Sequence, residues 1–423
     1  MSYVKVKGTY DVLPKESGKW QALESYVKSL FKRYNYYEIR TPIMEYSDVI
    51  HRETEGSDMV TKETYNFKDK ADRNITLRPE GTAGVVRSYV ENKLFVDSQM
   101  TKLYYIGPNF RYERPQKGRY RQFMQFGVES LGSFDPMIDA EVISMAYETI
   151  NGLGLKGVVV KVNSLGDDQS KKNYQQALFD FLKPFENELS EDSKVRLYKN
   201  PLRILDSKDP NDKEITKNAP LPIDYLTETS KKYFDSVIHA LDFIHVPYRI
   251  DKNLVRGLDY YTETVFEIQA NIEGFGAQNA LGGGGRYQNL VKELGGPQTP
   301  GIGYAFGMER LLNALEIEGI EIDKKDGLDV YFISFDQASK DVAFKIQSEL
   351  RKSGLTCDMN YNQKNFKGQL KEALLNDAKY LLILGENELK NESIIIKNTK
   401  TEQQTVNAIK DVVKTLKGLL NHA

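Results

Sequence analysis

Cysteine is all but absent. Cys357 is the single one in 423 residues, so no internal disulfide can form and a reducing compartment is expected. The four histidines, His51, His239, His245 and His422, are scattered, and with one thiol they offer no cluster at zinc-ligand spacing. No G-x-x-x-x-G-K-[ST] run occurs, which excludes a P-loop. No apolar run approaches the roughly 18 residues of a membrane span. The opening Met1-Ser2-Tyr3-Val4-Lys5-Val6-Lys7 also lacks a cationic segment followed by an apolar core. A cytoplasmic protein with no membrane partner is expected. Net charge is close to balance, at -2, which excludes a uniformly basic nucleic-acid binder but leaves room for a local basic patch.

What is present is a globular composition, 40% apolar and 28% charged with 26 Tyr and 19 Phe, so the chain should fold. Its length exceeds the roughly 250 to 300 residues at which one core stops growing, and two or three domains are expected. Trp20, Leu23, Val27, Leu30, Phe31 and Tyr34 recur at spacings of three and four and predict an amphipathic helix over 18–35. A strand-like run over 37–41 stops at Pro42. From about 75 to 130, β-rich pieces at 75–78, 103–106 and 122–129 alternate with charged turns and predict an antiparallel sheet. Residues 168 to about 246 are lysine-rich, mostly helical and broken by Pro201, Pro210, Pro220 and Pro222; strands on both sides mark them as inserted. A charged stretch at 321–327 closes this part. Beyond it, strands at 330–335, 355–359, 380–384 and 393–397 alternate with helices at 337–352 and 366–376 and a closing helix, a compact α/β pattern.

The densest charge lies in Arg111-Tyr112-Glu113-Arg114-Pro115-Gln116-Lys117-Gly118-Arg119-Tyr120-Arg121, five basic residues to one acid between two strand-like runs. A hairpin loop of this kind presents guanidinium forks to phosphate oxygens. A solvated charged hairpin is the plainer reading of such a run. Gly118 permits the turn, and Phe110, Tyr112 and Tyr120 offer stacking surfaces to a nucleobase, which favours a nucleotide. With the strand that runs on to Glu129, this arrangement resembles motif 2 of class II aminoacyl-tRNA synthetases, which bind ATP on an antiparallel sheet. Gly301-Ile302-Gly303-Tyr304-Ala305-Phe306-Gly307-Met308-Glu309-Arg310-Leu311-Leu312 resembles their motif 3, a strand entering a helix that carries an arginine. Pro42, behind the first amphipathic helix, suits the looser motif 1 of their dimer interface.

Amino-acid identity rests on other runs. Arg256-Gly257-Leu258-Asp259-Tyr260-Tyr261-Thr262 and Gly282-Gly283-Gly284-Gly285-Arg286-Tyr287 resemble the two histidine-specific motifs of histidyl-tRNA synthetases. Arg78-Pro79-Glu80-Gly81-Thr82-Ala83 is similar to that family's amino-acid platform. The resemblance runs from about Gly8 to the C-terminus. It implies an α+β fold: a class II antiparallel-sheet catalytic domain over 1–325 with a helical insertion at about 168–246, then a C-terminal α/β anticodon-binding domain over 328–423. It implies a histidine–tRNA ligase that forms histidyl-adenylate from histidine and ATP and transfers histidine to the 3′ end of tRNA(His). A homodimer is implied too, as is Mg2+, whose ligands the sequence does not identify.

The same resemblance assigns roles residue by residue. Arg111 and Arg256 are the implied catalytic cations, holding the α-phosphate and the substrate carboxylate. Glu113 and Arg310 complete the ATP site, with Arg310 on the γ-phosphate. Glu80, Thr82 and Gln125 would accept from the α-ammonium of histidine. Glu129 would accept from a ring N–H while the Tyr261 hydroxyl serves the other nitrogen, with Gly81, Tyr260 and Tyr287 also in the histidine site. Buried polar groups of this kind go unpaired when an apolar amino acid enters, which discriminates strongly. Glycines 282–285 would let the backbone approach the amino acid, or would form a flexible turn. Arg114, Gln116, Lys117, Arg119 and Arg121 would meet the tRNA acceptor end.

Each residue has a plain alternative when taken singly: Glu129 an exposed strand acid, Tyr261 a core aromatic, Arg310 a surface ion-pair arginine. For the whole chain the alternatives are a non-catalytic relative of the same fold, an RNA-binding module without chemistry, or a sister synthetase for another amino acid. The polar set Glu80, Glu129 and Tyr261 is what an RNA-binding module leaves unexplained. If Arg256 stabilises charge at the reacting centre, Arg256→Ala lowers the adenylation rate by about a hundredfold or more with the fold retained. Single-turnover adenylate formation, beside circular dichroism, checks this; an unaltered rate would move the arginine away from the chemistry.

Overall fold

Proline in the first turn starts the helix Pro14–Arg33, and the apolar stripe read from the sequence buries Leu23, Val27, Leu30 and Phe31 completely. The computed structural model describes residues 3–52, 63–113, 119–205, 207, 209–255, 260–273, 275, 280–323, 327–362 and 364–420. It divides into two units, 1–323 and 324–423.

The frame of the first unit is an eight-stranded sheet among the described residues. In spatial order its strands are Tyr37–Glu38, Thr101–Phe110, Gln122–Leu131, Gly301–Gly307, Ala280–Tyr287, Tyr261–Ala270, Val158–Ser164 and Tyr248–Ile250. The six inner strands pair antiparallel, and only the two outermost pairings are parallel. One face is roofed by Pro14–Arg33, Pro136–Asn151, Glu228–Phe243 and Met308–Ile317. Beneath them lie Phe126, Val128, Val160, Val162, Phe266, Ile268 and Phe306, each stabilising the fold by roughly 1.5–3 kcal/mol through burial. Period-two alternation sends Gln125 and Glu129 to the opposite face, where a cavity opens.

Two local expectations change. The run at 75–78 does not join this sheet: Asn74–Leu77 pairs with Met44–Tyr46 and Tyr65–Lys68 in a separate three-stranded sheet. A helix, Thr82–Glu91, then intervenes, because Val85, Val86 and Tyr89 bury one of its faces. The strand foreseen over 37–41 contracts to Tyr37–Glu38. The run Gly152-Leu153-Gly154-Leu155-Lys156-Gly157 has dinucleotide-motif spacing, but it leads from the helix Pro136–Asn151 into the strand Val158–Ser164. Dinucleotide binding needs the reverse order, strand into helix.

After Val158–Ser164 the chain leaves the sheet through Asp168–Leu182, Glu191–Lys199 and Pro210–Thr216, capped by the side chains of Asp167, Ser190 and Asp209. These helices enclose their own small core of Tyr174, Leu178, Leu182, Leu189, Leu197 and Ile204. The next helix, Glu228–Phe243, instead packs Phe234, Val237 and Leu241 into the main core.

In the second unit the sheet order is Cys357–Met359, Val330–Ser334, Tyr380–Leu384, Ser393–Asn398 and Gln404–Ala408; the first three strands are parallel and the last two antiparallel. The helix Gln337–Lys352 begins with a reciprocal cap between Asp336 and Ser339. Cys357 is buried, and burial raises its thiol pKa.

A fully buried ion pair pins the central strands to the helical roof. Arg286, on Ala280–Tyr287, donates from Nε to Asp139 Oδ1 at 2.9 Å and from Nη1 to the Ser133 carbonyl at 2.9 Å. The rings of Phe134 and Tyr233 lie 5.2 and 5.5 Å from its guanidinium carbon. Removing one partner of such a pair leaves an uncompensated charge in the core. Asp139→Ala is expected to destabilise the first unit by about 3–5 kcal/mol, read from denaturant or thermal midpoints. A loss below about 1 kcal/mol would mean that Arg286 finds other compensation.

Candidate functional site

The cavity on the open face of the sheet has a volume of about 570 Å3. Among its lining residues is Glu129, 1% exposed, on Gln122–Leu131. Both carboxylate oxygens accept from hydroxyls: Thr82 Oγ1 donates to Oε1 at 2.7 Å and the Tyr287 hydroxyl to Oε2 at 2.7 Å. Gly303 stands opposite in the register, and a Cβ there would lie 2.1 Å from Glu129 Oε2. Glycine is therefore what lets the carboxylate lie across the neighbouring strand. Burial pushes the Glu129 carboxyl up to about 8; Glu80 pushes the same way, and the two hydroxyl bonds oppose it.

Glu80, 7% exposed, sits just before the helix Thr82–Glu91. Its Oε1 accepts from the Ala83 N–H at 3.1 Å and its Oε2 from the Tyr260 hydroxyl at 2.9 Å. Gln125 faces the cavity with Oε1 engaged by Asn109 Nδ2 at 2.7 Å, which leaves its NH2 group and one lone pair for a ligand. Tyr261 and Tyr287 line the wall. Tyr260 does not: it lies behind the wall, 4.9 Å from the Tyr261 ring and edge-on to Tyr287 at 5.7 Å. Gly81 is also off the wall, its missing side chain giving way to the Tyr105 ring.

Cations gather toward the other end, displaced by six residues along the strand from Glu129 to Phe123, roughly 20 Å. Arg111 donates from Nε to the Pro79 carbonyl at 2.9 Å, and its guanidinium carbon lies 5.3 Å from the Phe123 ring centre. Arg310, in the first turn of Met308–Ile317, sits 4.9 Å over the Phe275 ring. Burial, then the like charge of Arg119, lower its pKa. Arg119 meets Glu113 at 3.3 Å. Arg119 and Arg310, close enough to repel and beside the positive end of a helix, give this end of the cavity a potential that suits an anion. Tyr120 lines this end with its ring 4.6 Å from Tyr10. Arg121 turns off the wall, its guanidinium carbon 3.9 Å from the Tyr112 ring centre and its Nε donating to the Glu113 carbonyl at 3.2 Å. Arg256, Arg114, Gln116 and Lys117 lie outside the described residues.

Several wall residues were not singled out in the sequence: Tyr105, Phe123, Glu267 and Gln269. Their signal was alternation, since Glu267 and Gln269 flank the core residue Ile268 and Phe123 shares the parity of Gln125 and Glu129. The four-glycine run is strand and not turn; Gly282 and Gly283 face the cavity, whereas Gly284 and Gly285 pack against the Gly303 carbonyl and Tyr261. Among the described residues no group of three or more His, Cys, Asp and Glu could hold a metal ion. No helix among them is long and apolar enough to cross a membrane.

A family model described as Histidyl-tRNA synthetase matches residues 8–311, and one described as Anticodon binding domain matches 329–419. The chain is 67% identical to a histidine–tRNA ligase of Acholeplasma laidlawii over 420 residues, covering 99% of this chain and 100% of that one. It is 50% identical to a histidine–tRNA ligase of Geobacillus sp. (strain WCH70), with 100% of each chain covered. Among solved structures, apo histidyl-tRNA synthetase of S. aureus superposes with a TM-score of 0.85 at 42% identity, over 98% of this chain and 100% of that one.

The buried carboxyl makes stability depend on pH. Its folded pKa of about 8 lies above the ordinary 4.5, so its contribution is full below about pH 4.5 and lost as pH rises through about 8. Glu129→Gln cannot undergo this loss. Between pH 6 and 9 the ligand-free variant should gain on the wild type by about 2 kcal/mol, followed as the difference in unfolding midpoints. A constant difference would show that Glu129 does not titrate in that window.

Proposed function

Because the chain belongs to the histidyl-tRNA synthetase family, we propose that the two ends of its cavity divide the reaction, one recognising the amino acid and the other handling phosphate. The activity is histidine–tRNA ligation, in two steps. A carboxylate oxygen of histidine attacks the α-phosphorus of ATP and pyrophosphate leaves. The terminal ribose hydroxyl of tRNA(His) then attacks the acyl carbon and AMP leaves. Both steps concentrate negative charge on oxygens, which preorganised cations stabilise.

The observation that carries the division is the Glu129 carboxyl, buried with hydroxyl partners and no basic side chain among the described residues, in the same cavity as Arg111 and Arg310. Glu129 takes an imidazole N–H, and its raised pKa leaves one proton to share with the ring; Tyr261 serves the other nitrogen and Tyr287 fixes the carboxyl. Glu80, Thr82 and Gln125 take the α-ammonium, with Gly81 and Tyr260 behind them. Arg111, together with Arg256, holds the α-phosphate and the carboxylate. Arg310 holds the γ-phosphate, and Glu113, paired with Arg119, completes the ATP site. Magnesium would arrive with the triphosphate. Glu113 and Glu267 on the wall fit an ion carried mainly by phosphate oxygens, which needs one or two carboxylates and no protein cage.

Arg119 and Arg121, with Arg114, Gln116 and Lys117, meet the acceptor end of the tRNA, an assignment supported by Arg119, which lines the cavity beside Arg310. The catalytic domain is assigned to 1–325 and the anticodon-binding domain to 328–423, supported by the two units and the two matched ranges. The enzyme acts in the cytoplasm as a homodimer. Dimerisation is supported by Tyr37, Ile43, Met44 and Tyr46, exposed apolar residues on both sides of Pro42.

Histidine-dependent ATP–pyrophosphate exchange tests the division. Arg111→Ala should lower the exchange rate by about a hundredfold or more. Glu129→Gln should raise the KM for histidine by about ten- to a hundredfold and leave the KM for ATP within twofold. Opposite effects would overturn the assignment of the two ends.

A further inference from the structure

Tyr260 is the one aromatic of the histidine-site run that stands behind the cavity wall, yet its hydroxyl donates at 2.9 Å to Glu80, a carboxylate on the wall. What holds Tyr260 therefore holds Glu80. On one side Tyr260 packs against Tyr261 and Tyr287, both wall residues. It is also covered by Arg52, whose guanidinium carbon lies 5.6 Å from its ring centre. Arg52 is 14% exposed in its side chain and does not line the cavity. Its anchors lie on elements outside the cavity: Nη1 donates to the Val49 carbonyl at 3.0 Å, in the short helix Ser47–Ile50. Its Nε lies 3.3 Å from Glu293 Oε2, in Leu290–Glu293.

We propose that Arg52 is a positioning residue for histidine recognition, acting through the phenol of Tyr260 on the carboxylate of Glu80. Three physical effects combine. A guanidinium over an aromatic face is attracted by the ring quadrupole, more strongly when both are partly desolvated. That contact restrains the tilt of the ring, and with it the direction in which the hydroxyl points. The cation also makes the phenol a stronger donor, so its bond to the Glu80 carboxylate tightens. Glu80 then presents its remaining lone pairs to an ammonium in a set orientation. The two short helices carrying the anchors of Arg52 belong to different stretches of the chain, so their packing is coupled to the amino-acid end of the cavity and not to the phosphate end.

This proposal rests on the reading that Glu80 receives the α-ammonium, and the test separates the two. ATP–pyrophosphate exchange is measured on the full chain for the wild type, Arg52→Met, Arg52→Lys, Tyr260→Phe and the double variant Arg52→Met/Tyr260→Phe, with Glu80→Gln alongside. Arg52→Met should raise the KM for histidine by roughly three- to thirtyfold and leave the KM for ATP within about twofold. Arg52→Lys, which keeps the charge without the planar face, should raise it less. Because both residues act along one path, the double variant should match Tyr260→Phe alone within about twofold, the two changes failing to multiply. An unchanged histidine KM in Arg52→Met, or effects of the two changes that multiply in the double variant, overturns the proposal. A loss of kcat with both KM values unchanged assigns Arg52 to folding only and overturns it too. Should Arg52→Met fold poorly, the same cycle is run with Arg52→Lys, where multiplicative effects overturn the proposal equally. A wild-type histidine KM in Glu80→Gln would instead overturn the ammonium assignment, whatever the coupling between positions 52 and 260.

Discussion

A carboxyl buried with no basic side chain beside it among the described residues constrains everything around it. Taking an unpaired charge out of water costs several kcal/mol even after relaxation. The fold meets that cost at Glu129 by keeping a proton on it at neutral pH and by supplying two hydroxyl donors, Thr82 and Tyr287. Neither donor is free to wander: Thr82 begins the helix Thr82–Glu91, and Tyr287 ends a strand inside the sheet. Gly303 completes the arrangement by leaving room for the carboxyl. A ligand that brings its own N–H and can itself carry a proton completes this site, whereas an apolar side chain of similar size leaves buried polar groups unmatched.

The two-faced sheet explains why such a site can exist in a stable protein. Alternation gives Gln122–Leu131, Tyr261–Ala270 and Gly301–Gly307 one row of large apolar residues under the helical roof and one row facing the cavity. The roof is tied down by more than apolar packing. Arg286 belongs to the same short run as Tyr287, but the two side chains point oppositely, Arg286 to Asp139 in the roof and Tyr287 to Glu129 in the cavity. One strand thus ties the Glu129 carboxyl to the rigid core. A charged residue in a family run need not touch a substrate; here it orients its neighbour.

The sequence made the first helix, Pro14–Arg33, legible through its strong periodicity, and the sheet and helical insertion through β-rich runs between charged turns and a lysine-rich, proline-broken stretch between strands. It concealed the helix Thr82–Glu91, whose opening Gly81-Thr82-Ala83 reads as a turn and whose burial comes from tertiary contacts of Val85, Val86 and Tyr89. The single-residue roles of Tyr260 and Arg121 were hidden for a related reason. Both sit in informative runs, but only packing shows that Tyr260 stands behind the wall and that Arg121 stacks on Tyr112. Phe123, Glu267 and Gln269 follow from parity once the core face is known, and parity could not be set before Phe126 and Ile268 were seen to be buried. Arg52 carried no signal, because its partners lie far from it in the chain.

The lone thiol has a practical side. Cys357 is buried in a short parallel strand of the second unit, and burial holds it in the unreactive protonated form. Burial and a raised pKa both disfavour its reaction with alkylating dyes and spin labels. A cysteine introduced at a chosen exposed position would accept a probe almost alone, and distances within this enzyme could be followed during turnover without first removing native sulfhydryls.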